Sequence, residues 1–211
     1  MTSSAPGPFA PPSEHDVTRA VLDHPLAWLV TAGGGEYAAT PLPLRPVVGE
    51  QGEVVELLGH FARSNPHHEL ARRVRPTLVL FNGPHGYVSP SWLRDRTRFP
   101  TWNYAYVQYV VDIEYTDDPA ETERILRDLV GAMEHDRPGA WSIEEGGPRY
   151  RQLVRGIIAF HARILERRVK FKLAQDERDG EYADIVQALE AAGQHELLEW
   201  TQRCNARRVR G

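Results

Sequence analysis

The chain is poor in sulfur: its 211 residues include one cysteine, Cys204, and two methionines. A lone thiol excludes an intrachain disulfide framework and a cysteine-rich zinc site, and it fits a reducing, cytoplasmic setting. Long apolar runs are missing too. No stretch reaches the roughly 18 residues that a membrane helix needs. Met1–Pro12 lacks both the positive start and the apolar centre of a secretory signal. Nor is there an excess of positive charge. Lys and Arg total 25 against 29 Asp and Glu, for a formal net charge of −4. That balance supplies no global field to draw nucleic acid and argues against it as a partner. Gly-x-Gly-x-x-Gly is absent, and with it the Rossmann route to dinucleotide binding.

What is present reads as one domain, residues 13–211, behind a Ser/Ala/Pro/Gly-rich leader, residues 1–12, expected to be disordered. The basic end Arg207–Arg210 reads as a frayed, solvated tail. Ser13-x-x-Asp16 marks a helix start. Leu26–Thr31 and Glu36–Leu44, separated by three glycines, predict a hairpin, and Val54–Phe61 a third strand. Thr77–Asn82 and Gly86–Ser89 read as two strands divided by Gly83-Pro84. From Asn103 to Tyr115 the period is two, with Ala105, Val107, Tyr109, Val111 and Ile113 on one face. Asp118-Pro119 then opens a helix whose stripe is Ile125, Leu126, Leu129, Val130 and Met133. Gly156–Glu166 and Val169–Leu173 return to period two, and Glu181–Ala192 and Gln194–Cys204 predict closing helices. About seven or eight strands without βαβ alternation point to an α+β fold, an antiparallel β-barrel with peripheral helices rather than a Rossmann sheet.

Chemistry concentrates between His60 and Tyr104. Imidazoles, small hydroxyls, two indoles and an asparagine crowd around turn-forming Pro and Gly. Such loops suit a planar heteroaromatic ligand, which needs flat apolar walls and a few directed hydrogen bonds; they equally suit the capped mouth of a barrel. His67-His68 and His85 raise the question of a metal, but adjacent histidines share no helix face and no carboxylate stands at i+4, so no metal site is expected.

Gly59-His60-Phe61-Ala62, Asn65-Pro66, Gly83–Trp92, Pro100–Tyr104, Ala39–Leu44 and Lys172-Leu173-Ala174-Gln175, in that composition and spanning Ser13 to about Trp200, resemble the signature blocks of the PaiB-like FMN-binding family. The resemblance implies a split β-barrel, FMN as cofactor, and a homodimer with the flavin near the subunit interface. Carried over to this chain, it implies cofactor contacts from Thr40, His60, Asn65, Ser89, Ser91, Trp92, Trp102, Asn103, Lys172 and Gln175. Two blocks depart from the family pattern: Pro41 stands where the family carries His, and Ala174-Gln175-Asp176 where it carries Ser-Gln-Asn. Asp176 brings a negative charge toward any phosphate nearby.

Each residue keeps a plainer alternative. Lys172 is a phosphate or ring-edge cation, or part of a solvated face. Ser89 and Ser91 hold a phosphate or ribityl chain, or cap their own turn. Trp92 and Trp102 wall a ring or fill a core. Asn103 donates to a flavin carbonyl or caps its strand. Asn65-Pro66 offers a helix start to an anion, or caps that helix. His85, Tyr87 and Tyr104 are the groups to test first as acid or base. The expected function is flavin-dependent oxidation or reduction of a small molecule. The rival readings are a PaiB-type negative transcriptional regulator and a haem-binding or haem-degrading protein on the same scaffold.

Overall fold

Alternating apolar residues build the sheet. In the computed structural model, which describes residues 7–208, Leu26–Gly33 (β1) and Glu36–Pro43 (β2) form the expected hairpin. Gly34 and Gly35 turn it at φ of 62° and 84°, the left-handed region that glycine enters freely. Arg45–Val48 (β3) pairs with Val54–Ala62 (β4), and Thr77–Val88 (β5) pairs with Thr101–Thr116 (β6). Ile157–Lys172 (β7) lies between β6 and β4. The order is β2-β1-β5-β6-β7-β4-β3, antiparallel throughout and not closed, so β2 and β4 touch without pairing. This is the antiparallel α+β arrangement that the strand pattern predicts and the split barrel that the family resemblance implies.

Two strands are longer than their patterns suggested. β5 runs through Gly83-Pro84 as a single strand, with a register shift between Asn82 and His85 that absorbs the missing proline N–H. β7 joins both predicted runs. Val110 faces Glu166 and Val111 faces Ile164, so Leu165 is the extra residue of a bulge. Before it the inward residues are even-numbered (Ile158, Phe160, Ala162), and after it odd-numbered (Phe171, then Leu173 beyond the strand). The edge strand β3 was not foreseen, because Pro46 sits inside it; an edge tolerates the lost donor.

Six helices surround the sheet: Glu14–Asp23 (α1), His67–Arg73 (α2), Pro119–Glu134 (α3), Gly147–Arg155 (α4), Asp179–Ala191 (α5) and His195–Cys204 (α6). Ser13 caps α1 by accepting from the Asp16 amide at 3.2 Å, and Asp118 caps α3 by accepting from Ala120 at 2.9 Å. On α3 only Ile125 and Leu129 of the predicted stripe are buried. Polar clamps complete its attachment. His161 of β7 lies 3.1 Å from Glu56 and 2.8 Å from Glu121, and Arg124 holds the Glu121 carboxyl down to about 2. Gly193, at φ 65°, divides α5 from α6, and Trp200 of α6 packs edge-on against Phe171 at 5.6 Å.

Both ends differ from expectation where they are described. Met1–Pro6 of the expected leader lies outside the described residues. The rest of it is laid on the free edge of β7, where the Phe171 amide donates to the Phe9 carbonyl at 2.9 Å. Val209 and Arg210 of the expected tail are likewise outside. Arg208 is anchored rather than solvated: its guanidinium reaches the Gln175 and Glu177 carbonyls at 2.8 and 2.5 Å and Asp179 at 2.7 Å. Among the described residues no helix is long and apolar enough to cross a membrane.

Candidate functional site

Residues opposite one another in an antiparallel pair share a face. By that rule His85, Tyr104 and Lys172 stand in one row across β5, β6 and β7, with Tyr87 and Trp102 in the next row. All lie on the outer face of the sheet. Tyr87 and Trp102 meet edge to face, ring centres 6.0 Å apart, and the Trp102 side is 55% exposed. The Lys172 ammonium donates to the Thr101 hydroxyl and, at 3.4 Å, to the Trp102 carbonyl, and it pairs with no carboxylate among the described residues. His85 places Nδ1 2.9 Å from the Gly83 carbonyl. The same nitrogen lies 3.3 Å from the Asn82 side-chain amide, so it meets one acceptor and one donor while Nε2 is left free for a ligand.

Beside this row lies a hollow of about 500 Å³ floored by Val88, Leu93 and Ile185. Lys172, Thr101, Arg98, Arg178 and Asp176 line it. Asp176 thus shares Lys172's cavity, as its charge in the altered block suggested. Arg98 is occupied by Glu177 at 3.0 Å and Glu181 at 3.1 Å.

Thr40 and Asn65 belong to a second, interior group. The Asn65 amide nitrogen donates to Thr40 Oγ1 at 3.2 Å, and Thr40 Oγ1 lies 2.8 Å from His67 Nδ1. On the other side of the ring, His67 Nε2 lies 2.9 Å from Thr31 Oγ1, which is 3.0 Å from Thr77 Oγ1. Asn65 donates into Thr40, which frees the Thr40 proton for Nδ1. His67 is then the neutral Nε2–H tautomer, donating to Thr31. Burial lowers its pKa in the same sense. Asn65 Oδ1 also accepts from the His67 amide at 3.0 Å. Asn65 thereby closes the turn that leads into the short α2. His60 is near in sequence but sits on the β4 face of Leu58. Its Nδ1 is buried without a partner, and desolvation lowers its pKa.

The remaining expected residues serve local structure. Ser89 Oγ accepts from the Ser91 amide at 3.1 Å and meets Ser91 Oγ at 2.7 Å, which caps the turn at Pro90–Trp92. Trp92 is half-buried against the core. Gln175 closes the turn after β7, accepting from Leu173 N at 2.6 Å and donating to the Phe171 carbonyl at 2.5 Å. Asn103 faces away from Trp102 and Tyr104. It is 2% exposed, its Nδ2 lacks a partner, and its register partner Gly86 lies under α6, where a Cβ would meet Leu197 at 2.6 Å. Strand alternation alone separates Asn103 from its neighbours' face.

Sequence reasoning missed His67, Thr31 and Thr77 as a network and Lys170 as a neighbour of Tyr104. The signal was there: Thr31 and Thr77 are polar residues at core positions of otherwise apolar strands.

Fold and site define an antiparallel split barrel with a cationic, aromatic outer face. The chain belongs to the family described as "Putative FMN-binding domain", whose model matches residues 5–166. It is 26% identical over 184 residues to the Protease synthase and sporulation protein PAI 2 of Bacillus subtilis (strain 168), covering 86% of each chain. It is 31% identical over 117 residues to the uncharacterized protein YKL070W of Saccharomyces cerevisiae, covering 53% of this chain and 69% of that one. Among solved structures it resembles the FAD and heme binding protein from Mycobacterium smegmatis. There the TM-score is 0.55 and the identity 19%, over 76% of this chain and 71% of the other. It also resembles the flavocytochrome Anf3 from Azotobacter vinelandii, with a TM-score of 0.52 and 18% identity over 74% and 66%. At these identities the likeness is one of fold.

Proposed function

We propose that this chain binds FMN as a homodimer and acts as a flavin-dependent oxidoreductase on a small molecule. The observation that carries this reading is the row of His85, Tyr104 and Lys172 beside the Tyr87–Trp102 pair, all on one outward face, in a chain of an FMN-binding family. A flavin mononucleotide needs flat walls, a cation and partners for its polar edge. Trp102 and Tyr87 supply rings, and Lys172 supplies a cation whose two hydrogen-bond partners, the Thr101 hydroxyl and the Trp102 carbonyl, are neutral. His60 supplies a buried nitrogen still lacking a partner. An orphaned buried polar atom carries a desolvation penalty of about 1–3 kcal/mol that a ligand relieves. The hollow of about 500 Å³ next to Lys172 falls in the range of small-molecule sites, about 300–1,000 Å³.

Bound FMN would supply hydride or electron chemistry. The chain's own groups would bind, orient and exclude water. Lys172 sets the charge and the Trp102 and Tyr87 rings set the plane. His85 Nε2 and the Tyr104 hydroxyl are the groups placed to take or give a proton at the face.

His60 and the Lys172 row lie on the outer face of the sheet at opposite ends of β7, His60 in register with Ala159 and Tyr104 with Lys172. A two-fold pairing of subunits brings one copy's elements to the other's and supports a shared site. The surface for that pairing is the same outer face, where Trp28, Leu80 and Gln108 form one row and Val30, Leu78 and Val110 the next. Trp28 is 49% exposed there.

A direct DNA-reading role has less support. The α5–α6 pair has the short glycine turn of a helix-turn-helix, but α6 exposes Glu196 and Glu199 and buries Leu197 and Trp200 in the core. The test is spectroscopic. Protein as purified, or after incubation with FMN, is expected to show flavin absorbance that bleaches on addition of a reduced nicotinamide nucleotide. Colourless protein that takes up no FMN, or a Soret band in place of flavin bands, overturns the reading.

A further inference from the structure

Lys170 lies one step along β7 from Lys172, on the same outward face, and pairs with no carboxylate among the described residues. Its ammonium sits between two rings. It is 5.7 Å from the Tyr104 ring centre and 5.2 Å from that of Phe9. Phe9 comes from the stretch before α1, far from the strands in sequence. Its carbonyl takes the Phe171 amide on the free edge of β7, and its side chain is half-buried.

Among the described residues the segment is tied at the Phe9 bridge and at the start of α1. Glu14, where α1 begins, accepts from both terminal guanidinium nitrogens of Arg167, one of them at 2.8 Å. Ser13 is fixed as the α1 cap, taking the Asp16 and Val17 amides; between it and the Phe9 bridge, residues 10–12 are irregular, and among the described residues their one backbone bond is the Ala10 amide donating to the Gly7 carbonyl at 3.1 Å. One amide bond and one exposed cation–π contact make a weak latch, on the order of 1 kcal/mol each. A latch of that strength opens and recloses readily at room temperature.

We infer that residues 7–13 form a strap whose Phe9 ring closes the β7 side of the Tyr104–Lys172 row and gates access of a flat anionic ligand to it. The inference rests on the proposed flavin site. Two adjacent ammoniums beside Tyr104 and Trp102 attract a planar anion, and Phe9 extends those ring walls past the sheet edge. With the strap down, Lys170 is screened by two π faces. With it lifted, Lys170 is released to the ligand and the edge of β7 opens to solvent.

The experiment compares the full chain with Phe9→Ala and Phe9→Tyr. Two readouts are taken: the acylation rate of Lys170 by mass spectrometry, without ligand, and the association and dissociation rates of FMN by stopped-flow fluorescence. In Phe9→Ala, Lys170 is expected to react about two- to fivefold faster, the shift that loss of an exposed cation–π contact produces. FMN association and dissociation both quicken, with the dissociation constant changing less than either rate. Phe9→Tyr keeps the ring and behaves as the parent. Unchanged Lys170 reactivity, or unchanged FMN rates in Phe9→Ala, overturns the strap. Failure of the parent protein to bind FMN, with Lys170 reactivity still raised in Phe9→Ala, sinks the flavin site beneath it instead.

Discussion

Thr40 and His67 hold each other at 2.8 Å across the gap between β2 and the start of α2, where the sheet touches itself without pairing. That one contact links the Asn65 turn to the buried hydroxyls of Thr31 and Thr77. His67→Ala leaves those hydroxyls without their ring partner and opens a void. A loss of about 2–4 kcal/mol is expected in urea unfolding. A loss under about 0.5 kcal/mol would show that the chain of hydrogen bonds contributes nothing beyond its parts.

The same histidine sets a pH dependence. Burial holds the His67 and His60 pKa values below their ordinary 6.5, so the unfolded chain takes up protons that the folded one resists. Their contribution to stability is complete above pH 6.5 and shrinks as the pH falls below it. The urea midpoint is therefore expected to drop between about pH 7 and pH 5, and to drop less in His67→Gln. An identical slope in that variant would falsify the assignment.

Asp176 lines the hollow that holds Lys172. A carboxylate there opposes an incoming phosphate. Asp176→Asn is expected to tighten FMN binding several-fold at low salt, on the order of 1 kcal/mol, and the gain should fade as ionic strength rises. Titrations at two salt concentrations decide it; equal affinity at both leaves Asp176 without a role in binding.

Ala174 adopts φ 66° while only 2% exposed, and it is the sole non-glycine residue at positive φ among those described. A β-carbon in that conformation is strained by roughly 1 kcal/mol. Ala174→Gly is expected to raise the thermal midpoint by a few degrees. A lower midpoint would mean that the methyl's packing outweighs the strain.

Trp28 stands half-exposed in the outward row with Leu80 and Gln108. Trp28→Asp is expected to convert the proposed dimer to a monomer by light scattering with unchanged circular dichroism, since burying an unpaired charge at an interface costs several kcal/mol. A variant that remains dimeric places the subunit contact elsewhere.

The sheet was legible because alternation is a local signal. Ala105 through Ile113 read as one buried face and are one. The turn glycines, the Ser13 and Asp118 caps and the Gly193 break were equally plain. β3 was hidden by Pro46, a residue whose cost depends on being at an edge, and edges are a property of the assembled sheet. The site was legible in part. Blocks of sequence put Trp102, Asn103 and Tyr104 together, whereas the pleat puts Asn103 under α6 and the other two outside. Thr40 and Asn65 were picked out as ligands but are tied to His67, and nothing in the spacing of residues 40, 65 and 67 announces that meeting. Contacts such as Lys170 with Phe9 join residues over 150 positions apart and exist only once β7 has a free edge.

Leu165 decides which side of the protein its lysines serve. Were Leu165 paired one-to-one instead of bulged out, the alternation of β7 would run on unshifted, sending Lys170 and Lys172 inward and turning Phe171 out to water. Deleting Leu165, by contrast, removes the bulge and leaves both lysines on the ligand face. The cationic patch is thus a matter of counting as much as of composition: the same letters, one step out of phase, would neither attract an anion nor pack.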